Sequence, residues 1–484
     1  MEIDHQNVEI DGNEDRISQL PDSVIALILS SLTTREAVRT GAVSSRWRNL
    51  FKCPTSLVLD AHNMLDNDKY SDINVSQMLC LERDIVKMKR TVEFLKIVGY
   101  YLHCVRGVPK IETLKVHFTF GNNRYYACKL DRWIGFALKR QVEEIDLCLL
   151  EQNVFSAPSE GLYAFPCALL RGIRSLKRLR LAHCVLAPGP QWSIFLGFST
   201  LTSLGLVNVD LVSDHHLQNL LCNCDNIESL SFCMCWNLHY LRIEHPFCQK
   251  LKYLSVNDCP QLKTIELTSL NIETLEYKGR FVWFQFLDTP KLRTVFTGVN
   301  DWRISYSDIL PLCKLPNDLP HLETLFLETT CHMAAALCIP RFHNLRHLII
   351  LKLNKHEHDL SWIALILKAC PRLQKLELHL GANSYVGEEA KDRNWPPRCA
   401  HEQLKEVLIT GMRGQTSEIE TAIYLLKNAT SLQIMKIDPR PRLYLGNGKW
   451  QQIEPYESWT RTGKHKVEHH LIQQAGAAVQ LSVL

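Results

Sequence analysis

Residues 227–277 read IESLSFCMCWNLHYLRIEHPFCQKLKYLSVNDCPQLKTIELTSLNIETLEY. The pattern L-x-x-L-x-L, with other apolar residues allowed at each leucine position, begins within this stretch at Ile227, Leu251 and Ile272. Alternating apolar positions are typical of a β-strand that buries one face. Because one short strand cannot bury that face alone, several copies must stack side by side. The stretch therefore predicts a solenoid of parallel strands.

The same pattern recurs along most of the chain. Its thirteen copies lie 20 to 34 residues apart, an interval that brackets the leucine-rich repeat. They begin at Ile111, Val142, Leu176, Leu201, Ile227, Leu251, Ile272, Leu292, Leu322, Leu345, Leu373, Leu404 and Leu432. We expect the connections between copies to cover the convex side, some of them as helices, for example at residues 130–139 and 361–368. An additional half-copy at residues 262–267 should lie between true repeats.

The charge balance and the hydropathy exclude several classes of function. Lys and Arg (55) nearly balance Asp and Glu (51), and a net charge of +4 over 484 residues gives no basic surface of the kind that nucleic acid requires. No stretch reaches the ~18 apolar residues of a membrane span, and no apolar signal region opens the chain. We therefore expect an intracellular protein of the cytoplasm or nucleus, with neither nucleic acid nor a membrane as partner.

The eighteen cysteines are expected to be reduced and mostly buried, because no secretory signal is recognised. Cys184, Cys235 and Cys259 follow copies of the pattern at the position where a small side chain meets backbone carbonyls. The nearest approach to a metal pattern is formed by two C-x-C pairs, Cys222, Cys224, Cys233 and Cys235. That spacing is unusual for structural zinc, although it leaves a zinc site open as an alternative. We predict no metal and no cofactor.

Motifs typical of catalysis are missing from the sequence. It contains no HExxH, GxSxG, Walker A or GxGxxG pattern. Residues 356–358, His-Glu-His, lie in a polar stretch that is expected to form a turn. We therefore predict a protein without catalytic activity of its own.

Ahead of the repeats, residues 15–51 read DRISQLPDSVIALILSSLTTREAVRTGAVSSRWRNLF. Asp22 is positioned to cap a helix that runs to Leu32. The apolar residues of this helix form a core stripe and, beside it, an outer pair, Val24 and Leu27. A unit of this size cannot build a self-sufficient core, so it should leave an apolar patch that faces another protein. Alternatively, it is only the N-terminal helical cap of the repeats.

This stretch resembles an F-box, the motif by which a substrate receptor docks on the Skp-family adaptor of a cullin-RING ubiquitin ligase. The resemblance lies in Leu20-Pro21, the apolar helix, residues 35–38, Val43 and residues 45–50. It implies that the adaptor is bound through Leu20, Pro21, Val24, Ile25, Ile28, Leu29, Leu32, Ala37, Val38, Val43, Trp47 and Leu50.

The C-terminal repeats carry a second resemblance. Residues 401–439, HEQLKEVLITGMRGQTSEIETAIYLLKNATSLQIMKIDP, look like the FBD region that follows leucine-rich repeats in many plant F-box proteins. Its order is strand, glycine-bearing loop, helix capped by Ser417 with Glu420, and strand. It should cap the end of the sheet, and a separate binding role is the alternative. Residues 440–467 are expected to form a loop, and residues 478–484 a final strand.

The side chains between the inward apolar positions of each strand should project from the concave face. The expected target-binding residues on this face are Arg178, Arg180, Tyr253, Asn257, Lys278, Phe296, Phe326 and His347. The aromatic ones are typical interface anchors. They could instead be covered by loops, and a register shift of one residue would turn each into a core residue.

The predicted fold class is α/β: an N-terminal three-helix F-box, then a leucine-rich-repeat solenoid with parallel strands on the concave face and helices and loops on the convex face, then an FBD-like C-terminal cap. The predicted segments are a disordered acidic N-terminus (1–14), the F-box (15–51), a connecting strand and helices (52–110), the repeats (111–400), the FBD-like repeats (401–440) and a tail (441–484). The resemblance implies the substrate-recognition subunit of an SCF ubiquitin ligase, which binds a Skp-family adaptor, through it a cullin-RING ligase, and an unidentified target protein. The alternative is a leucine-rich-repeat scaffold that takes no part in ubiquitination.

Overall fold

The computed structural model divides the chain into two compact units, Met1–Gln152 and Asn153–Leu484. It describes residues 19–32, 36, 39–40, 46–47, 55–65, 80–118, 120, 124–149, 161–186, 196–268, 271–299, 315–329, 341–352, 360, 362–381, 400–476 and 478–484. Within these ranges no helix combines the length and the apolar character needed to cross a membrane.

The first unit contains three parallel strands and the helices that accompany them. Its elements are α1 (Asp22–Ser31), β1 (Ser56–Asp60), α2 (Ala61–Met64), α3 (Cys80–Cys104), β2 (Thr113–His117), α4 (Arg124–Leu138) and β3 (Glu144–Cys148). Strand β2 lies between β1 and β3, and it pairs in register with both. The structure has a strand and helices within residues 52–110, as expected, and its helix at residues 124–138 overlaps the one expected at residues 130–139.

Aromatic rings form the core between the sheet and the helices of this unit. Phe94 of α3 stacks on Phe118, with ring centroids 4.0 Å apart. Phe120 and Trp133 of α4 meet the same Phe94 ring edge-on, at 6.0 and 6.1 Å. Since buried aromatic rings contribute much of the stability of a small core, these contacts hold α3 and α4 to the strands.

The second unit is built on a long parallel sheet. The strands of this sheet, in spatial order, are β4 (Arg178–Ala182), β5 (Ser203–Val207), β6 (Ser229–Cys233), β8 (Tyr253–Asn257), β10 (Thr274–Gly279), β12 (Thr294–Val299), β13 (Thr324–Thr329), β14 (His347–Lys352), β15 (Lys375–Leu380), β16 (Glu406–Thr410), β17 (Ile434–Asp438) and β20 (Gln480–Val483). Together with β2 and β3, they account for every copy of the repeat pattern and for the expected final strand.

The length of a repeat determines how the chain returns to the next strand. The copies that begin at Ile227, Leu251 and Ile272 span only 20 to 24 residues. They return through strands β7 (Tyr240–Glu244), β9 (Thr264–Thr268) and β11 (Trp283–Leu287), which form a second parallel sheet in the order β11-β9-β7. Longer copies carry helices α5 (Asp214–Leu221), α6 (Trp362–Ala369) and α7 (Thr416–Asn428). A strand rises about 3.3 Å per residue and a helix about 1.5 Å, so a return of few residues covers more distance as a strand than as a helix.

The half-copy at residues 262–267 falls in β9, between two true repeats as predicted. Two of the three cysteines predicted to meet backbone carbonyls after a copy of the pattern also lie as expected. Sγ of Cys235 donates to the carbonyl oxygen of Leu206 (3.5 Å), and Sγ of Cys259 donates to the carbonyl oxygen of Asn257 (3.7 Å). In the described part of the chain, no group of His, Cys, Asp and Glu side chains is arranged to hold a metal ion.

Helix α7 begins two residues earlier than its predicted cap implies. Its N-cap is Gln415, and the capping box is completed by Glu418 instead of Glu420. Oε2 of Glu418 accepts hydrogen bonds from the backbone N–H groups of Arg413, Gly414 and Gln415, at 2.8 to 3.1 Å. The prediction that Ser417 caps this helix is therefore wrong, because the buried carboxylate of Glu418 satisfies the loop amides more completely.

The segment expected to be a loop after the FBD-like region is structured. It contains a β-hairpin, β18 (Arg442–Gly446) and β19 (Lys449–Gln452), and helix α8 (Lys464–Ile472), which follows a short π-helical turn. The loop prediction is wrong there. The segment can form a hairpin because Gly446, Asn447 and Gly448 all have positive φ angles, which tight hairpin turns require.

Candidate protein-binding surfaces

Helix α1 builds a small core with the residues around Trp47. Ile25, Leu29 and Trp47 are 0%, 5% and 8% exposed. Leu20, Ile28 and Leu32 pack against them. The core stripe predicted for this helix is thus the one that the structure buries, and the tryptophan supplies its opposite wall.

The start of α1 is fixed by an arginine and not by the predicted cap. Pro21 occupies the N-cap position, and no side chain caps the helix. Asp22, in the first turn, instead pairs with the guanidinium of Arg46 at 2.6 Å. Nη2 of Arg46 also donates to the carbonyl oxygen of Leu20 at 2.7 Å. The arginine thereby ties the Trp47 segment to the Leu20-Pro21 entry of the helix.

The outer pair of α1 is exposed. Val24 is 39% exposed and Leu27 is 68% exposed, and Pro21 is exposed beside them. Of the predicted adaptor-binding set, Ile25, Leu29 and Trp47 face the interior of the unit. Ala37, Val38, Val43 and Leu50 lie outside the described residues. Leu27 was not included in that set. Its position on the outer stripe of the helix is the sequence feature that indicates it.

The concave face of the second unit consists of cross-strand rows of side chains. Strand register places these residues in the middle row: Arg180, Gly205, Ser231, Ser255, Glu276, Phe296, Phe326, Ile349, Glu377, Leu408 and Lys436. Strands β4 to β8 present arginine and small polar residues in this row. From β10 onward the row is mainly apolar, with Phe296, Phe326, Ile349 and Leu408, and it includes the carboxylates of Glu276 and Glu377 before it ends at Lys436. The face is therefore divided into two chemically different halves.

The β18–β19 hairpin covers the concave face from β10 to β15. Its inward rings, Tyr444 and Trp450, form one aromatic cluster with Phe296 and Phe326 of the sheet. Tyr444 stacks on Phe296 with ring centroids 5.3 Å apart, and Trp450 meets Phe326 edge-on at 5.7 Å. Trp450 also lies over the ring of His379, at 4.5 Å. Of the two alternatives for the sheet aromatics, coverage by another segment is the one that the structure adopts.

Because the hairpin covers this part of the sheet, one of the predicted target-binding residues is wrong. Phe326 is only 2% exposed, so it cannot be an open anchor. The rest of the predicted set remains at least partly accessible: Arg178 and Arg180 are exposed, and Tyr253, Asn257, Lys278, Phe296 and His347 are half-buried. The hairpin residues that cover Phe326 were missed. The Asn447-Gly448 pair, between Leu443-Tyr444-Leu445 and Trp450, is the sequence signal that indicates a hairpin.

The hairpin tip is bonded to a buried carboxylate of β10. Glu276 is 3% exposed and accepts a hydrogen bond from Oη of Tyr444 at 2.5 Å and another from the backbone N–H of Asn447 at 3.0 Å. Burial and this contact with Glu276 raise the pKa of Tyr444, so its hydroxyl remains a donor. A hydrogen bond to a buried charge is stronger than a neutral one, and it fixes the tip over β10.

Next to this contact, Lys278 of β10 reaches across β12 to Glu328 of β13. Their Nζ and Oε1 atoms are 2.7 Å apart. The residue between them in the row is Gly298, and a Cβ there would lie only 3.0 Å from Cβ of Glu328. The absence of a side chain at Gly298 therefore opens the path for the ion pair and leaves space below the hairpin.

A second charged cluster lies on β14 and β15 around Glu377. Its Oε1 atom is 3.0 Å from Nε2 of His347 and 2.8 Å from Nζ of Lys375, and its Oε2 atom is 3.3 Å from Nε2 of His379. Burial alone would raise the pKa of Glu377, but the two imidazoles and the ammonium outweigh it and hold the pKa far below its usual range. For His379, which is 0% exposed, burial lowers the pKa.

These shifts predict that the second unit loses stability as the pH falls. The unfolded chain binds a proton on a histidine below about pH 6.5, but folded His379 resists it, so stability should fall as the pH drops below that value. Glu377 has a depressed pKa when folded, so its contribution is present above about pH 4.3 and is lost below it. Urea titrations at pH 7.5 and 5.5 should give a lower midpoint at pH 5.5.

The variant His379→Gln should reduce this difference between the two pH values, because it removes the buried imidazole. Exposed His469 of α8 is the matched control, and His469→Gln should leave the difference unchanged. Equal midpoints at pH 7.5 and 5.5 in the unmutated chain would contradict the prediction.

Comparison with known proteins assigns this architecture. Residues 102–479 match the family model described as "At1g61320/AtMIF1, LRR domain". The chain belongs to this leucine-rich-repeat family. Residues 17–58 match the F-box domain model in addition, so the F-box and leucine-rich-repeat parts of the predicted fold are both confirmed.

Relatives of this F-box and leucine-rich-repeat chain occur in Arabidopsis thaliana. The F-box/FBD/LRR-repeat protein At3g26920 is 26% identical over 451 residues, which cover 89% of this chain and 92% of the relative. The putative F-box/FBD/LRR-repeat protein At3g49040 is 25% identical over 445 residues, 89% of each chain. The F-box/LRR-repeat protein At3g26922 is 31% identical over 218 residues, and the match spans 59% of that relative and 45% of this chain. The predicted resemblance to plant F-box, leucine-rich-repeat and FBD proteins is confirmed.

Proposed function

We propose that this protein is the substrate-recognition subunit of an SCF-type ubiquitin ligase. The observation that carries the proposal is the division of α1 into a buried stripe around Ile25 and an uncovered stripe formed by Val24 and Leu27. A helix that has already filled its own core and still exposes large apolar side chains is suited to a partner. The F-box match makes a Skp-family adaptor, and through it a cullin-RING ligase, the partner that we propose.

The chain would act by proximity and not by bond chemistry. Ubiquitin transfer belongs to other subunits, and the receptor raises the local concentration of a target protein near them. We place target binding on the half of the concave face that the hairpin leaves open, where Arg178 and Arg180 are exposed. Gly205, which has no side chain, and half-buried Ser231 form the adjoining part of this surface.

The variant Leu27→Asp should weaken binding to the adaptor by at least about tenfold. Burying a leucine side chain stabilises a complex by about 1.5–3 kcal/mol, and each 1.4 kcal/mol changes an affinity about tenfold. A purified Skp-family adaptor, titrated against the full chain by calorimetry, measures the effect. The matched control is Leu287→Asp, since Leu287 is 53% exposed on β11 and should not contribute.

Two results would contradict the proposal. One is failure of the unmutated chain to bind the adaptor, which would favour the alternative of a repeat scaffold outside ubiquitination. The other is an equal loss of affinity in the Leu287→Asp control, which would place the contact elsewhere.

A further inference from the structure

A cavity of about 200 Å³ lies between the hairpin tip and the strands beneath it. Its walls include Phe296, Phe326 and Glu328 from the sheet and Tyr444 and Leu445 from the hairpin. Pockets for drug-sized ligands are larger, roughly 300–1,000 Å³. The volume therefore fits one small group or the end of one side chain.

The charges around the cavity are predominantly negative. Three carboxylates line it, Asp258, Glu276 and Glu328, against the single ammonium of Lys278. Glu276 and Glu328 are 3% and 7% exposed, so water screens them little. The thiol of Cys233, also in the wall, stays neutral because burial raises its pKa to about 11. An anion would be repelled here, and a cation would be attracted.

Oε1 of Glu328 is paired with a displaceable lysine. Nζ of Lys278 lies 2.7 Å from it, in a geometry that falls short of a well-aligned hydrogen bond. The lysine side chain is 37% exposed and so stands at the mouth of the cavity. A cation within the cavity that offers a better-aligned donor would compete with Lys278 for this buried carboxylate.

The aromatic residues in the cavity wall are compatible with the same ligand. Phe296, Phe326 and Tyr444 lie with ring centroids 5.0 to 5.3 Å apart. Aromatic faces attract organic cations, and they also accept the apolar stem of an alkyl chain. Carboxylates and aromatic rings in one small cavity are thus complementary to a positively charged group on a short alkyl stem.

We propose that this cavity binds an alkyl guanidinium or alkyl ammonium group. The group could be the end of an arginine or lysine side chain of the target protein or a free small amine. The first source rests on the proposed function, and the second does not. Binding displaces Lys278 from Glu328 toward solvent, and the hairpin holds the ligand from above.

The test uses butylguanidinium and butylammonium chloride, titrated against the full chain and followed by the fluorescence of the tryptophans, among them Trp450 in the hairpin. Butylurea, similar in shape and uncharged, is the control ligand. We expect saturable binding of at least one cation and none of butylurea. Blocked peptides with one central arginine or lysine form a second arm: tighter binding of the peptide than of the free cation indicates a protein source, and the reverse indicates a small amine.

Two variants separate a binding role from a structural one. Glu328→Gln should weaken binding of the cation by about tenfold or more, since it removes the charged acceptor. Lys278→Met should strengthen binding by a similar factor, because it removes the resident competitor. A damaged fold would weaken binding in both variants. Glu323→Gln is the matched control, because Glu323 makes an exposed ion pair with Arg293, and it should leave the affinity unchanged.

The proposal is overturned if neither cation binds at millimolar concentrations, if butylurea binds equally well, or if Lys278→Met fails to strengthen binding. None of these outcomes bears on adaptor binding, which is measured separately with Leu27→Asp. Failure of the cavity proposal and failure of the proposed function are therefore distinguishable.

Discussion

Replacing Phe326 with alanine should lower the free energy of unfolding of the second unit by about 3–5 kcal/mol. The ring is 2% exposed and is surrounded by Phe296 from the neighbouring strand and by Tyr444 and Trp450 from the hairpin. Its removal loses the free energy of burying the ring and leaves a void between hairpin and sheet. Because these rings supply much of the contact between the hairpin and the sheet, the hairpin should also become more accessible to a protease.

Urea denaturation followed by circular dichroism measures the first effect, and limited proteolysis at residues 442–452 measures the second. The control is Tyr240→Ala, since Tyr240 is 56% exposed on β7 and surface substitutions usually stay within about 0.5 kcal/mol. If Phe326→Ala were no less stable than this control, the hairpin could not be packed on that ring as described.

The variant Gly411→Ala should destabilise the second unit by about 2–5 kcal/mol in total. Gly411 has a φ of +75°, and a Cβ there would lie 2.1 Å from the carbonyl oxygen of Leu380. The left-handed conformation costs a residue with a side chain about 1–2 kcal/mol, and overpacking typically costs about 1–3 kcal/mol more. The neighbour is backbone of β15, so it cannot move aside as a flexible side chain would.

A second glycine separates these two contributions. Gly448 in the hairpin turn has a φ of +69° but no atom within 4 Å of an added Cβ. Gly448→Ala should therefore lose only the conformational part, about 1–2 kcal/mol. Thermal unfolding of the two variants side by side gives the comparison. Equal losses at the two positions would show that the close approach to Leu380 has no energetic cost.

The strands were predictable because the information for each is local. Every copy of the pattern places alternating apolar residues within six positions, and the structure puts a parallel strand at each of them. The half-copy in β9 was recognisable for the same reason. Strands β7 and β11 were not predicted, although residues 238–243 (LHYLRI) and 281–286 (FVWFQF) also fit the pattern. Both strands pair with β9 in the second sheet.

Contacts between distant segments could not be derived from the pattern. Arg46 and Asp22 lie 24 residues apart, and nothing in their spacing indicates an ion pair in place of a helix cap. The burial of Phe326 depends on a hairpin that lies far along the chain. The hairpin itself did have a local signal, because Asn447-Gly448 between two segments that contain apolar residues is typical of a tight turn. No local signal indicates which strands of the sheet the hairpin covers.

The bond from Tyr444 to Glu276 closes a loop of 168 residues, and this distance has a consequence for biosynthesis. A ribosome adds about 5–20 residues per second, so the strands from β10 to β13 emerge on the order of ten seconds or more before the segment that covers them. During that interval Phe296 and Phe326 are an uncovered aromatic patch on a nascent chain. The newborn protein is therefore most vulnerable to aggregation and to chaperone capture on the same face that the mature protein keeps closed.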